Sequence, residues 1–297
     1  MTLAPIALFV YNRPWHTQQI IEALQKNKLA AESELFIFSD APKNNEAQMG
    51  VKEVREYIKT VKGFNQVAII ERTENLGLAK SIITGVSEIV NKFGKIIALE
   101  DDLITSPYFL KYMNESLEFY QNEERVISIT GYIYPIRAKL PEIFFIKGAD
   151  CWGWATWKRG WDLFKEDGLK LLTEIKERKL EKAFNFNGSY NYTQMLKDQI
   201  AGKNDSWAVR WYASAFLENK LTLYPCRSLV YNIGNDSSGI HCGETDIFNT
   251  EVASSPVMIK RIPIEENRCA LQEIEKFFRY LKPSFFSRIK NKIEQFI

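Results

Sequence analysis

Short apolar runs punctuate the first part of the chain, at 5–11, 34–39, 66–71, 95–99 and 126–130. Each is rich in Ile, Val, Phe or Leu and too short for a helix, so each predicts a buried strand. Between them, apolar residues recur at helical spacing over 14–28, 44–61, 76–92 and 105–121. Pro14 follows Asn12-Arg13 and Pro107 follows Ser106, each placed for the first turn of a helix. Strand–helix alternation at this spacing implies right-handed βαβ units and a parallel sheet covered on both faces. The expected class is α/β, with a Rossmann-like, mostly parallel sheet flanked by helices.

The pattern changes after residue 131. A Trp-rich stretch (Trp152, Trp154, Trp157, then Trp161) is followed by helical segments to about 219 and a short strand pair around 221–232. A Gly/Ser/Asp-rich loop spans 234–246, and a helical tail from 265 is interrupted at Pro283. Three segments are expected: 1–130, 131–262 as a second half of the same domain, and a helical tail at 263–297. Within 285–297, apolar residues form a helical stripe with Arg288, Lys290 and Lys292 on other faces. Such a helix suits an anionic membrane surface, or equally packing onto the protein or a neighbouring subunit.

Ligands of open parallel sheets bind beyond the carboxyl ends of the strands. The polar residues at those ends are Asn12 and Arg13, Ser39 and Asp40, Arg72 to Asn75, and Glu100 to Asp102. The last group is the sharpest signal: an apolar strand runs directly into three adjacent carboxylates. Like charges so close are unfavourable unless something positive is bound between them. Hard cations such as Mn²⁺ or Mg²⁺ take oxygen ligands and keep water or phosphate in their other positions. The plainer alternative is a solvated acidic turn ahead of the 105–121 helix. Arg13 and Arg72 could pair with phosphate, Arg72 equally with a surface carboxylate, and Lys80 is a weaker candidate on the third helix.

Composition narrows the classes. With 45% hydrophobic residues the chain can bury a sizeable core, and a net charge of +2 makes nucleic acid a poor partner. Aromatic residues make up 13%, many of them between 144 and 212, where core packing and a sugar-binding cleft compete as readings. The four cysteines form no CxxC pair, so neither a disulfide framework nor a zinc site is expected. No stretch reaches 18 apolar residues, and residues 3–11 lack the basic flank of a leader. A cytoplasmic location is the expectation, extending to the inner face of the plasma membrane if the tail binds there. Of the two histidines, His16 is expected at the surface of the first helix. His241 lies in a polar loop that could close onto a ligand.

The run Leu99-Glu100-Asp101-Asp102-Leu103, continued by Ser106-Pro107 and Phe109, resembles the metal motif of N-acetylglucosaminyltransferase I and its bacterial relatives. Asn12-Arg13-Pro14, Ser39-Asp40, Glu74 to Ala79, Asp205-Ser206-Trp207 and Gly239 to Gly243 resemble further segments of that family, in order. The resemblance implies a glycosyltransferase A fold and inverting transfer from a UDP-sugar donor to a glycan or lipid-linked glycan acceptor. It makes 1–130 the nucleotide-sugar half and 131–262 the acceptor half. It implies Asp102 and His241 as metal contacts, with Glu100 and Asp101 near ribose or water. Asn12, Arg13, Asp40, Arg72, Asn75 and Lys80 would line the donor, Asp40 meeting the uracil. Asp205 would be the catalytic base, with helix capping as its alternative role and Asp150 as the competing base. The family's middle acid is replaced here by Ser206. A sugar nucleotidyltransferase is a rival reading, disfavoured because Tyr11-Asn12-Arg13-Pro14-Trp15 lacks the glycine of a phosphate loop. A non-catalytic carbohydrate-binding protein is another.

Overall fold

The computed structural model describes residues 2–234, 236 and 246–281. Its strands are β1 (Ile6–Val10), β2 (Glu34–Ser39), β3 (Gln66–Glu71), β4 (Lys95–Glu100), β5 (Leu103–Thr105), β6 (Val126–Thr130), β7 (Ile143–Lys147), β8 (Trp154–Trp157), β9 (Leu221–Pro225) and β10 (Val230–Asn232). Its helices are α1 (Pro14–Gln25), α2 (Ala47–Ile58), α3 (Leu78–Phe93), α4 (Phe109–Phe119), α5 (Lys158–Trp161), α6 (Gly168–Glu177), α7 (Glu181–Phe184), α8 (Tyr192–Ile200), α9 (Trp207–Leu217) and α10 (Arg268–Leu281).

Eight strands form one sheet in the order β3-β2-β1-β4-β8-β6-β9-β7, and β10 pairs with β5 in a small second sheet. From β3 to β4 every pairing is parallel. Strand β8 then runs antiparallel to both β4 and β6, β9 is parallel to β6, and β7 is antiparallel to β9. Only β8 and β7 therefore oppose the common direction. The result is a mixed, mostly parallel Rossmann-like sheet flanked by helices, with a separate C-terminal helix.

The period-2 geometry of a strand explains how both faces are filled. In β1, Ile6, Leu8 and Val10 join one core cluster while Ala7 and Phe9 join the other. Helix α3 covers the second face with Ala79, Ile82, Val86, Ile89 and Val90, an i/i+3/i+4 stripe. Its Gly85 lets Phe9 approach, since a Cβ there would lie 2.6 Å from the Phe9 ring. Gly94, at φ +77, ends the helix in the left-handed conformation and hands the chain directly to β4.

One expectation is corrected: the strands at 221–232 are not partners, since β9 joins the main sheet whereas β10 pairs with β5. Of the two readings left open for the aromatic cluster, core packing describes most of the Trp-rich stretch. Trp154 is 2% exposed and packs against Trp161, Trp207 and Trp211 at centroid distances of 5.7, 5.4 and 6.0 Å. Among the described residues no helix is long and apolar enough to cross a membrane. Pro283 and the 285–297 stripe lie outside the described residues.

Candidate functional site

Chain direction places the carboxyl ends of β1, β2, β3 and β4 along one edge of the sheet, and the polar residues flagged by the sequence follow those ends. Pro14 starts α1, so Arg13 takes the N-cap position without a capping hydrogen bond of its own. Its guanidinium reaches across to the neighbouring strand end instead. Nη2 pairs with Asp101 and lies 3.0 Å from Asp102 Oδ2, while Nε is 3.4 Å from Asp101 Oδ2. One cation thus bridges two of the three adjacent carboxylates.

That balance is incomplete. Burial, with the charges of Asp102 and Asp101 added, pushes the Glu100 carboxyl up to about 8; Arg13 and a hydrogen bond with Trp207 pull the other way. Burial also raises Asp101, against the opposing charge of Arg13. Burial works against the Arg13 charge as well, but Asp101 and Asp102 outweigh it and hold the guanidinium protonated. One guanidinium facing three carboxyl groups leaves the turn electron-rich, a setting that favours another cation.

The backbone after β10 closes over this turn. The Ile233 N–H donates to the Asp102 carbonyl at 2.8 Å, and a Cβ at Gly234 would fall 2.4 Å from Asp102 Oδ2. Only glycine lets the chain pass so near the carboxylate. His241 lies outside the described residues, a few positions further along this segment.

His16 departs from its expected surface position. It is 6% exposed, and its Nε2 lies 3.1 Å from Asp236 Oδ2. It stands one helical turn after Arg13, so the 3.6-residue period could have flagged it on the same side of α1. Trp15, between them in sequence, is 56% exposed.

Asp40 also takes a different place from the one expected. It is buried at the end of β2, and both carboxylate oxygens are saturated. Oδ1 accepts from the N–H groups of Ala41 and Leu76, each at 2.9 Å. Oδ2 accepts from Gly77 N–H at 2.9 Å and Asn75 Nδ2 at 3.2 Å. With four acceptor positions filled, no lone pair is left for a uracil N–H. Asp40 and Asn75, which also donates to the Ala41 carbonyl at 2.6 Å, act instead as the clasp of the turn leading into α3. Arg72 stacks over Phe38 at 5.3 Å, and its Nη2 lies 4.0 Å from Glu88 Oε2. Lys80 is exposed on the first turn of α3, and Asn12 is tucked under Gly50 of α2.

Asp205 is carried to the same region by the aromatic core. Trp207 and Trp211 anchor the start of α9 against Trp154, and Trp207 touches Glu100 through its hydrogen bond. The cap of α9 is Ser206, whose hydroxyl accepts from Val209 N–H at 3.2 Å, so the capping alternative for Asp205 does not hold. The Asp205 carboxylate is 62% exposed, 3.7 Å from Arg210 and 3.9 Å from where a Cβ of Gly77 would stand. Asp150, the competing base, is occupied: it accepts from Trp152 N–H at 3.0 Å and from the Thr130 and Tyr224 hydroxyls at 3.4 Å each. Burial raises its pKa, and those hydrogen bonds oppose the rise.

No family model and no curated protein matches the chain. Among solved structures it is similar to S. aureus TarS 1-349, at 12% identity and a TM-score of 0.43, over 77% of this chain and 60% of that one. The same protein solved in complex with UDP gives 11% identity and a TM-score of 0.42 over the same shares. The mannosyltransferase PcManGT from Pyrobaculum calidifontis, in complex with GDP-Man and Mn²⁺, gives 10% and 0.38 over 73% of this chain and 68% of that one. The chain spans 60% of the length of TarS 1-349. Likenesses this remote leave the chemistry to be read from the residues themselves.

Proposed function

We propose that the chain is a metal-dependent glycosyltransferase of the A fold, moving a sugar with inversion from a UDP-sugar to a glycan acceptor. One observation carries the reading. Glu100, Asp101 and Asp102 sit at the carboxyl end of the central strand, the two aspartates bridged by Arg13, with the exposed carboxylate of Asp205 brought to the same edge by α9.

The donor set suits Mn²⁺ or Mg²⁺, since it offers hard oxygens and more negative charge than Arg13 alone offsets. Among the described residues no three His, Cys, Asp or Glu side chains form a metal site by themselves. A cation here would take Asp102, with Glu100 and Asp101 beside it, and fill its shell with water and phosphate. When bound, it would carry the negative charge that develops on the leaving diphosphate. A cation on Asp102 would compete with Arg13 for that carboxylate, while Asp101 would keep the guanidinium beside the turn, where it could meet a phosphate oxygen as a charge-assisted donor. Asp205 would accept the proton of the acceptor hydroxyl as that oxygen attacks the sugar carbon. A polar capping residue beside it leaves this carboxylate free for the task.

A role in surface polysaccharide or glycoconjugate synthesis belongs to the same proposal. It includes a cytoplasmic location, with the 285–297 stripe touching the inner face of the plasma membrane and a lipid-linked acceptor presented there.

Thermal melts with a panel of nucleotide-sugars, with and without Mn²⁺, test the reading. UDP-sugars should raise Tm, and only in the presence of the metal. If no nucleotide-sugar shifts Tm under either condition, the proposal fails. Slow metal-dependent hydrolysis of the stabilising UDP-sugar, without acceptor, separates an enzyme from a carbohydrate-binding protein.

A further inference from the structure

Arg210 is a buried cation beside the exposed carboxylate of Asp205. It belongs to the first turn of α9, and its side chain is only 8% exposed. Burying a guanidinium costs free energy unless its charge is paired and its N–H groups are satisfied. Two carbonyls meet part of that need: Nε donates to Ser206 at 3.2 Å and Nη1 to Glu166 at 3.4 Å. Among the described residues one carboxylate answers the charge itself, that of Asp205, whose Oδ1 lies 3.7 Å from Nη2.

The two partners differ in freedom. The planar fork of Arg210 is tied to the backbone of two segments, the cap of α9 and the chain ahead of α6. Trp207 and Trp211, packed on Trp154, fix the helix that carries it. Asp205 lies just ahead of the cap and its carboxylate has no comparable ties. A fixed cation therefore acts on a movable carboxylate. At 3.7 Å the contact is longer than a hydrogen bond. It draws Oδ1 to one side without filling the lone pairs that a base needs. Oδ2 faces the start of α3, 3.9 Å from where a Cβ of Gly77 would stand. Asp150 shows the opposite condition, its oxygens taken by the Trp152 N–H and the Thr130 and Tyr224 hydroxyls.

We propose that Arg210 is the positioning residue for Asp205, holding the carboxylate in the orientation in which it takes a proton from the attacking hydroxyl or water. This inference rests on the glycosyltransferase reading, in which Asp205 is the base. Without acceptor, a water oxygen forms the bond to the sugar carbon and its proton passes to Asp205. The bond from that carbon to the diphosphate breaks, and its electron pair leaves on UDP.

A double-mutant cycle tests it, read as Mn²⁺-dependent hydrolysis of radiolabelled UDP-glucose, UDP-galactose and UDP-N-acetylglucosamine by the full chain in excess over donor. Rates are taken per folded molecule, from melting curves, and UDP affinity is followed by calorimetry. For the donor that the wild type hydrolyses, Arg210→Gln should slow the reaction roughly tenfold, as a misplaced catalytic group does, with UDP affinity unchanged. Arg210→Lys keeps the charge and should recover a large part of the rate. In the Asp205→Asn background the Arg210→Gln step should change the rate by no more than about twofold, because a residue acting through Asp205 has nothing left to position. Should Arg210→Gln not fold, Arg210→Lys carries the cycle, and its smaller loss should likewise vanish in the Asp205→Asn background. The positioning role is overturned if Arg210→Gln lowers Tm but leaves the rate per folded molecule at the wild-type level. It is overturned equally if the loss is the same in both backgrounds, or if UDP affinity falls with the rate. Absence of Mn²⁺-dependent hydrolysis of all three donors by the wild type would instead overturn the glycosyltransferase reading itself.

Discussion

The two halves of the sheet are built differently. From β3 to β4 the chain advances by parallel strand–helix units, and each strand end delivers a polar residue to one edge. From β8 onward the sheet is mixed, two strands reverse, and aromatic packing takes over the positioning of side chains. The first half brings Arg13 and the three carboxylates together through backbone direction alone. The second brings Asp205 there through a stack of tryptophans. The difference teaches that regular topology can place the carboxylate turn, whereas the Asp205 carboxylate, which comes to it from outside, depends on tertiary packing.

The sharpest way to break this comparison is at Asp205. Asp205→Asn keeps the size of the side chain, and Ser206 retains the cap of α9. Turnover with a true acceptor should fall about 10²–10⁴-fold, the usual contribution of a general base, with UDP–metal affinity and Tm unchanged. Near-native turnover would pass the role to Asp150 and break the link between the halves.

Removing the tryptophan stack should separate support from chemistry. Trp154→Ala leaves a large cavity beneath α9, and urea unfolding should show a loss of about 3–5 kcal/mol. An unfolding midpoint close to wild type would mean that the stack does not hold α9 in place.

In the first half, Asp40→Ala orphans the Leu76 and Gly77 N–H groups that its carboxylate now satisfies. Stability should drop by about 1–3 kcal/mol, and affinity for UDP and for pyrophosphate should weaken by similar factors. A selective loss for UDP would restore the base-reading role to Asp40.

Ser206→Ala should have the smallest effect, about 1 kcal/mol for a lost N-cap, with the rate per folded molecule close to wild type. A stability loss on mutating Asp205 but not Ser206 would reverse the assignment of the cap.

The same contrast explains what the sequence made legible. The five strands from β1 to β6, leaving aside the three-residue β5, and the helices between them follow from periodicity, because repeated units bury both sheet faces and print themselves as apolar runs. The carboxylate turn was legible for the same reason, as charge at the end of an apolar strand. Strand β8 was not: its Trp-Ala-Thr-Trp is too short to show a period, and its insertion between β4 and β6 is decided by contacts distant in sequence. His16 was missed because its burial and its contact with Asp236 involve residues distant in sequence, which helical spacing alone does not show. Asp40 was visible as a strand-end carboxylate, but the four donors that surround it come from a turn 35 or more residues away as well as from its neighbour Ala41.

The central claim is that the Glu100–Asp102 turn holds a nucleotide diphosphate through a divalent cation. Titration calorimetry of UDP into wild type and Asp102→Ala, each with and without Mn²⁺, addresses it most directly. The wild type should bind UDP with the metal and far more weakly without it. The variant, folded by its melting curve, should lose the metal-dependent part. Equal UDP affinity with and without Mn²⁺ in the wild type, or metal-dependent binding undiminished in Asp102→Ala, would contradict the account.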